Sequence, residues 1–125
     1  MKNENDVKRK IKAILNKYKW FWWSIPATAF GKNGVSDLNA FKAMVFMAIE
    51  AKFGDNKPTP LQVAYLNSIR AEGGYGFVVN ERNIPYLDEF LDSFAIAAEA
   101  TSRGEMPPQE HGARMLNAIY MMTRY

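Results

Sequence analysis

The run Val45-Phe46-Met47-Ala48-Ile49 constrains this chain more than any other feature in it. Apolar residues fall on both of its faces, as they do in a strand buried at the centre of a covered sheet. The run continues into Glu50-Ala51-Lys52 and follows a second strand-like stretch, residues 37–41, with residues 42–44 near the turn between them. A two-sided strand needs a layer of structure on each side, and the flanking sequence supplies candidates.

Upstream, Val7, Ile11, Ile14, Leu15 and Tyr18 recur at helical spacing with lysines between them, which predicts an amphipathic helix over about residues 4–18. The aromatic stretch 19–25 reads as a strand ended by Pro26, and Gly31, Asn33 and Gly34 mark a loop. Downstream, Thr59-Pro60-Leu61-Gln62 opens a helix, with threonine as N-cap, proline in the first turn and glutamine closing a capping box. Gly73-Gly74 stops that helix, and residues 75–79 form another strand. A helix over 85–102 with Leu87, Phe90, Leu91, Phe94 and Ala98 on one side, a break at 104–108 and a last helix over 109–123 complete the chain. The expected fold is α/β, a small mixed sheet flanked by helices. It divides into a core over residues 1–80 and a C-terminal helical extension over 81–125 packed on that core.

The chain has 125 residues, which suits one domain. It has no cysteine, so disulfides and thiolate zinc sites are excluded, and its single histidine, His111, excludes histidine-rich metal centres. No signal-like or membrane-spanning apolar run is visible, and a soluble cytoplasmic protein is the expectation. The net charge of +3 conceals an asymmetry. Residues 1–20 carry seven Lys/Arg against Glu4 and Asp6, whereas residues 80–110 carry seven Asp/Glu against Arg82 and Arg103. A basic front attracts phosphate backbones, and both segments also suit solvated helix faces.

The hairpin has a register that follows from arithmetic. If Ala43 and Met44 form the middle of the turn, partners across the two strands have numbers that sum to a constant, and Asp37 then faces Glu50. Facing residues share a side of the sheet, and Lys52, two residues beyond Glu50, points to that side too. Paired carboxylates repel unless a cation neutralises them. A hard divalent ion does this with oxygen ligands and needs only one or two protein carboxylates when phosphates supply the rest. The competing reading is a structural salt bridge between Lys52 and one of the acids, which is the commoner meaning of Glu-x-Lys in an arbitrary sequence.

The set Gly34-Val35-Ser36-Asp37-Leu38, Ile49-Glu50-Ala51-Lys52, Thr59-Pro60-Leu61-Gln62, Ile69-Arg70-Ala71-Glu72-Gly73-Gly74 and Phe77-Val78-Val79 resembles, in this order, the VRR-NUC branch of the PD-(D/E)XK nucleases. The resemblance covers about residues 4–80. It implies a restriction-endonuclease-like core of helix, three strands, helix and strand, and hydrolysis of DNA phosphodiester bonds with Mg²⁺ or Mn²⁺. It further implies a homodimer acting on branched or junction DNA, as in small phage or prophage members, with no organic cofactor and no membrane. Carried over by position, Asp37 and Glu50 match the metal ligands, the Ala51 carbonyl a third ligand, and Lys52 the catalytic lysine. Gln62 matches a glutamine near the active site, and Glu4 an acid of the first helix that completes the metal shell. Ser36 stands where the family usually has proline. The alternative is a non-catalytic nucleic-acid-binding module or an interaction protein on a nuclease-like scaffold.

Other residues carry two readings each. Gln62 already has a role in the capping box, and Glu4 favours the positive end of its helix. Lys8 and Lys12 on the basic first helix, and Lys32 and Lys57 in loops, are candidate phosphate contacts. Of Trp20, Phe21, Trp22 and Trp23, alternation sends two inward and leaves two to be covered by nucleic acid, a partner subunit or the C-terminal helices. His111, after a proline-rich break, reads as a surface residue. The methionines of the last helix suit internal packing or a dimer contact.

Overall fold

The computed structural model describes residues 1–25 and 34–125. Its elements run α1 (Glu4–Lys17), β1 (Phe21–Ser24), β2 (Leu38–Lys42), β3 (Val45–Ala51), α2 (Pro60–Ala71), β4 (Tyr75–Val79), α3 (Ile84–Ser102) and α4 (His111–Thr123). The strands form a four-stranded mixed sheet in the order β1-β2-β3-β4. β1 and β2, and β2 and β3, are antiparallel, whereas β3 and β4 are parallel across α2. The protein is thus α/β with helices on both faces of a small sheet.

The β2–β3 hairpin has the register expected of it, with Leu38 opposite Ile49 and Lys42 opposite Val45. Ala43 and Met44 make the two-residue turn, with φ of 50° and 68°. Two successive left-handed residues are what a turn matching the strand twist requires, although Asn-Gly fits it with less strain.

The two faces are built differently. On one, Val7, Ile11 and Leu15 of α1, Leu87, Phe90 and Leu91 of α3, and Ala118 and Met122 of α4 close over Leu38, Ala40, Met47, Ile49, Phe77 and Val79. Phe77 and Phe90 meet edge to face at 5.2 Å. The C-terminal helices therefore supply part of the main core. At the rim of this layer, Tyr18 donates a hydrogen bond to Asp88, and the Lys17 ammonium lies 3.2 Å from the same carboxylate. Burial pushes the Asp88 carboxyl up, but these two donors outweigh it and hold it below the ordinary carboxylate range.

On the other face a small cluster forms from Ala48, Val78 and Leu66, with Phe46, Tyr65 and Ile69 beside it. The small residues decide where α2 sits. Ala48 and Gly76 are neighbours across β3 and β4, and a Cβ on Gly76 would lie 2.9 Å from the carbonyl oxygen of Leu66. The helix backbone thus rests directly on the sheet at that point.

Two expectations need correction. His111 is 8 % exposed, so it is not a surface residue, and its Nε2 has no hydrogen-bond partner among the described residues. It opens a stripe with Met115, Ala118 and Met122 at helical spacing, and that stripe is the inner face of α4. Ala98, assigned by periodicity to the inner side of α3, is exposed, while Ser93 and Ala100 are buried. α3 packs chiefly against α4, which sets the buried stripe of its second half through Ser93 and Ala100. No helix among the described residues is long and apolar enough to cross a membrane.

Candidate metal and phosphodiester site

The site lies where β2 begins and β3 ends, between the first turns of α1 and α2. Asp37 immediately precedes β2, and the register that sets Leu38 opposite Ile49 brings it level with Glu50. Both acids are buried, Glu50 to 1 % exposure and Asp37 to 9 %. The two strand ends are laced through these side chains. The Ala51 amide donates to Asp37 Oδ2 at 3.0 Å, and the Asp37 amide donates to Glu50 Oε2 at 3.3 Å. Each carboxylate is therefore oriented by the other's strand, as a preorganised ligand must be.

Glu50 has a second support from α2. Leu66 stands over Ala48 and Gly76, and Gln62, one turn earlier, reaches the next pair of strand residues, Glu50 and Val78. Its amide has two jobs at once. Oε1 accepts from the Thr59 amide at 2.8 Å, which closes the capping box. Nε2 then faces the sheet and donates to Glu50 Oε1 at 2.8 Å. The cap fixes which end of the amide meets the carboxylate, so the two readings of Gln62 are one arrangement.

Two lysines bring positive charge. Lys52 Nζ lies 3.7 Å from Glu50 Oε1, with its side chain 13 % exposed, and its amide is tied to the Val79 carbonyl at 2.9 Å. Lys8 Nζ, from α1, lies 3.5 Å from Asp37 Oδ1 and 3.7 Å from Glu4 Oε1. Glu4 thus reaches the pair through Lys8. These separations exceed the ~2.7–2.9 Å of a close charge-assisted hydrogen bond.

The structure adds Asn39 and Tyr65, which the sequence did not single out, and joins them to Ser36. Ser36 donates to Asn39 Oδ1 at 2.8 Å, and Tyr65 donates to the same oxygen at 3.4 Å. Ser36 and Asn39 are both buried. This polar chain anchors the entry into β2 beside Asp37, where Ser36 occupies the position at which the resembled family has proline. Spacing held the signal: Asn39 is two residues from Asp37 on a strand, and Tyr65 is three from Gln62 on a helix.

The remaining candidates lie elsewhere. Lys12 places its ammonium 5.5 Å from the centre of the Trp22 ring, on the α1 side of the sheet. Lys57 lines a small concavity with Gly54, Asn80, Asn83, Arg82 and Arg124. Lys32 lies outside the described residues. Of the aromatic run, Trp20 packs against Phe94 at 5.2 Å, whereas Phe21 is 71 % exposed. Trp23 leans on Phe46 at 6.0 Å and stays partly exposed.

Among the described residues no group of three or more acidic, histidine or cysteine side chains forms a metal cage. The donor set is two carboxylates, which with a backbone carbonyl suits a hard ion of the magnesium type and not a structural zinc site. Neither the family models nor the curated proteins compared with this chain gave a match.

Proposed function

We propose that the protein is a metal-dependent endonuclease of the PD-(D/E)XK type, hydrolysing DNA phosphodiester bonds. The observation that carries this reading is the buried pair Asp37 and Glu50, laced across two strand ends, with Lys52 just past the end of the strand that holds Glu50. Asp37, Glu50 and the Ala51 carbonyl would hold Mg²⁺ or Mn²⁺. When bound, such an ion makes hydroxide accessible at neutral pH and offsets charge on the phosphoryl oxygens.

The chain's own residues do the rest. Gln62 and the Asp37 amide hold Glu50 in one orientation. Lys52, nearly buried beside Glu50, orients the attacking water and balances charge that grows on the phosphate in the transition state. The basic α1 draws the phosphate backbone toward the site. Branched DNA as substrate and a homodimer as the working unit rest on the family resemblance alone.

The competing reading treats Lys8–Asp37 and Lys52–Glu50 as ordinary ion pairs on a nucleic-acid-binding scaffold. Cleavage of plasmid, single-stranded and four-way-junction DNA, with Mg²⁺ or Mn²⁺ and with chelator, separates the two. The nuclease reading expects metal-dependent cutting by the native chain and a loss of at least about a hundredfold in Glu50→Ala and Lys52→Met. No cutting by the native chain, or equal cutting by Glu50→Ala, overturns it.

A further inference from the structure

The two lysines at the site are not equivalent. Lys52 belongs to the strand end, its amide fixed to Val79 and its side chain nearly buried. Lys8 projects from the second turn of α1, its side chain 30 % exposed, and its ammonium hangs between Glu4 and Asp37 without a close contact to either. A lysine on a flexible four-carbon stem can leave such a position at small cost. Among the described residues, Lys8 is the cation beside Asp37 from α1, and Lys52 lies beside Glu50. A divalent ion beside Asp37 with Lys8 in place would set two cations against each other within a few ångströms.

We propose that Lys8 is an exchangeable counter-ion: it neutralises Asp37 when no divalent ion is bound, and it yields that place to the ion and moves to a phosphate of the nucleic acid. The inference rests on the metal-dependent reading above and adds a regulatory role for a residue of α1. In the metal-free protein the ammonium lessens the repulsion between the buried acids. On exchange, the same charge becomes a substrate contact, so metal binding and phosphate binding strengthen each other.

The test measures two affinities that should move in opposite directions. Calorimetric titration with Mn²⁺ should show Lys8→Met binding the ion about tenfold more tightly than the native chain, because a competing cation is gone. Lys8→Arg, which keeps the charge, should bind it like the native chain. Binding of a labelled DNA duplex is then followed against salt, with Ca²⁺ and with chelator. With the ion present, Lys8→Met should bind DNA more weakly and lose about one unit of the logarithmic salt slope. With chelator, where Lys8 faces Asp37, the slopes of variant and native chain should agree.

Unchanged or weaker Mn²⁺ binding by Lys8→Met overturns the proposal and leaves the metal reading standing. Equal salt slopes with Ca²⁺ overturn the transfer to phosphate. No Mn²⁺ binding by the native chain overturns the metal reading and this proposal with it.

Discussion

The two faces of the sheet spend their residues differently. The face under α1, α3 and α4 is packed with Leu38, Met47, Ile49, Phe77, Phe90 and Leu91, all essentially inaccessible to water. The face under α2 has a small apolar patch, two polar groups, Glu50 with Gln62 and Asn39 with Ser36 and Tyr65, and an exposed aromatic strip along β1 and β2. One face supplies most of the burial that stabilises the fold. The other can then hold buried charge, which costs stability unless it is paired and hydrogen-bonded. The extensive apolar burial on the opposite face offsets that cost.

This contrast makes predictions, and the largest concerns the packed face. Phe90→Ala should cost about 3–5 kcal/mol in denaturant unfolding, because it opens a cavity among Phe77, Tyr75 and the sheet. Phe21→Ala on the open face should fall within about 0.5 kcal/mol of the native chain. Similar costs at both positions would break the comparison.

Metal should act on the α2 face alone. At about a hundredfold above its dissociation constant, Mn²⁺ should stabilise the native chain by roughly 2.7 kcal/mol, read as a rise in melting temperature. Asp37→Asn should show no rise, and an equal one would remove Asp37 from the ligand set. Gly76→Ala tests the seat of α2. Its Cβ would press on the Leu66 carbonyl, so we expect a loss of about 1–3 kcal/mol. Cleavage should weaken too, since Gln62 rides on the same helix. A loss of stability with full activity would show that Gln62 does not need this seat.

The hairpin turn should gain. Asn at position 43 and Gly at 44 suit the left-handed backbone that Ala43 and Met44 now adopt, and the double change should add about 1 kcal/mol. The smallest effect lies at the rim of the packed face. Asp88 has its pKa lowered on folding by Tyr18 and Lys17 against the opposing effect of burial. Its contribution is therefore present above the ordinary carboxylate pKa and is lost as pH falls through the folded value. Asp88→Asn should be slightly less stable than the native chain near neutral pH, with the gap closing in acid. A gap that stays constant across that range would place the effect in packing.

Local chemistry explains which features were legible in advance. The capping box Thr59–Gln62 and the stop at Gly73 bound α2 because both act within a few residues. The hairpin register followed from a two-residue turn and a strand period of two. The placement of His111 failed because a lone polar residue after prolines resembles a loop, and only the packing of α4 on α3 shows that it joins the inner stripe. Lys8 could be assigned to α1, but nothing local says that α1 enters the sheet end beside Asp37.

The sequence by itself determined the order of elements, the two-sided β3 and the register that levels Asp37 with Glu50, since periodicity and turn length act along the chain. Tertiary structure alone decided how those acids are held. Ala48 and Gly76 let α2 down onto the sheet so that Gln62 meets Glu50, and α1 brings Lys8 to Asp37. Such contacts join residues far apart in the chain, and their geometry depends on how layers pack, which no short-range pattern encodes.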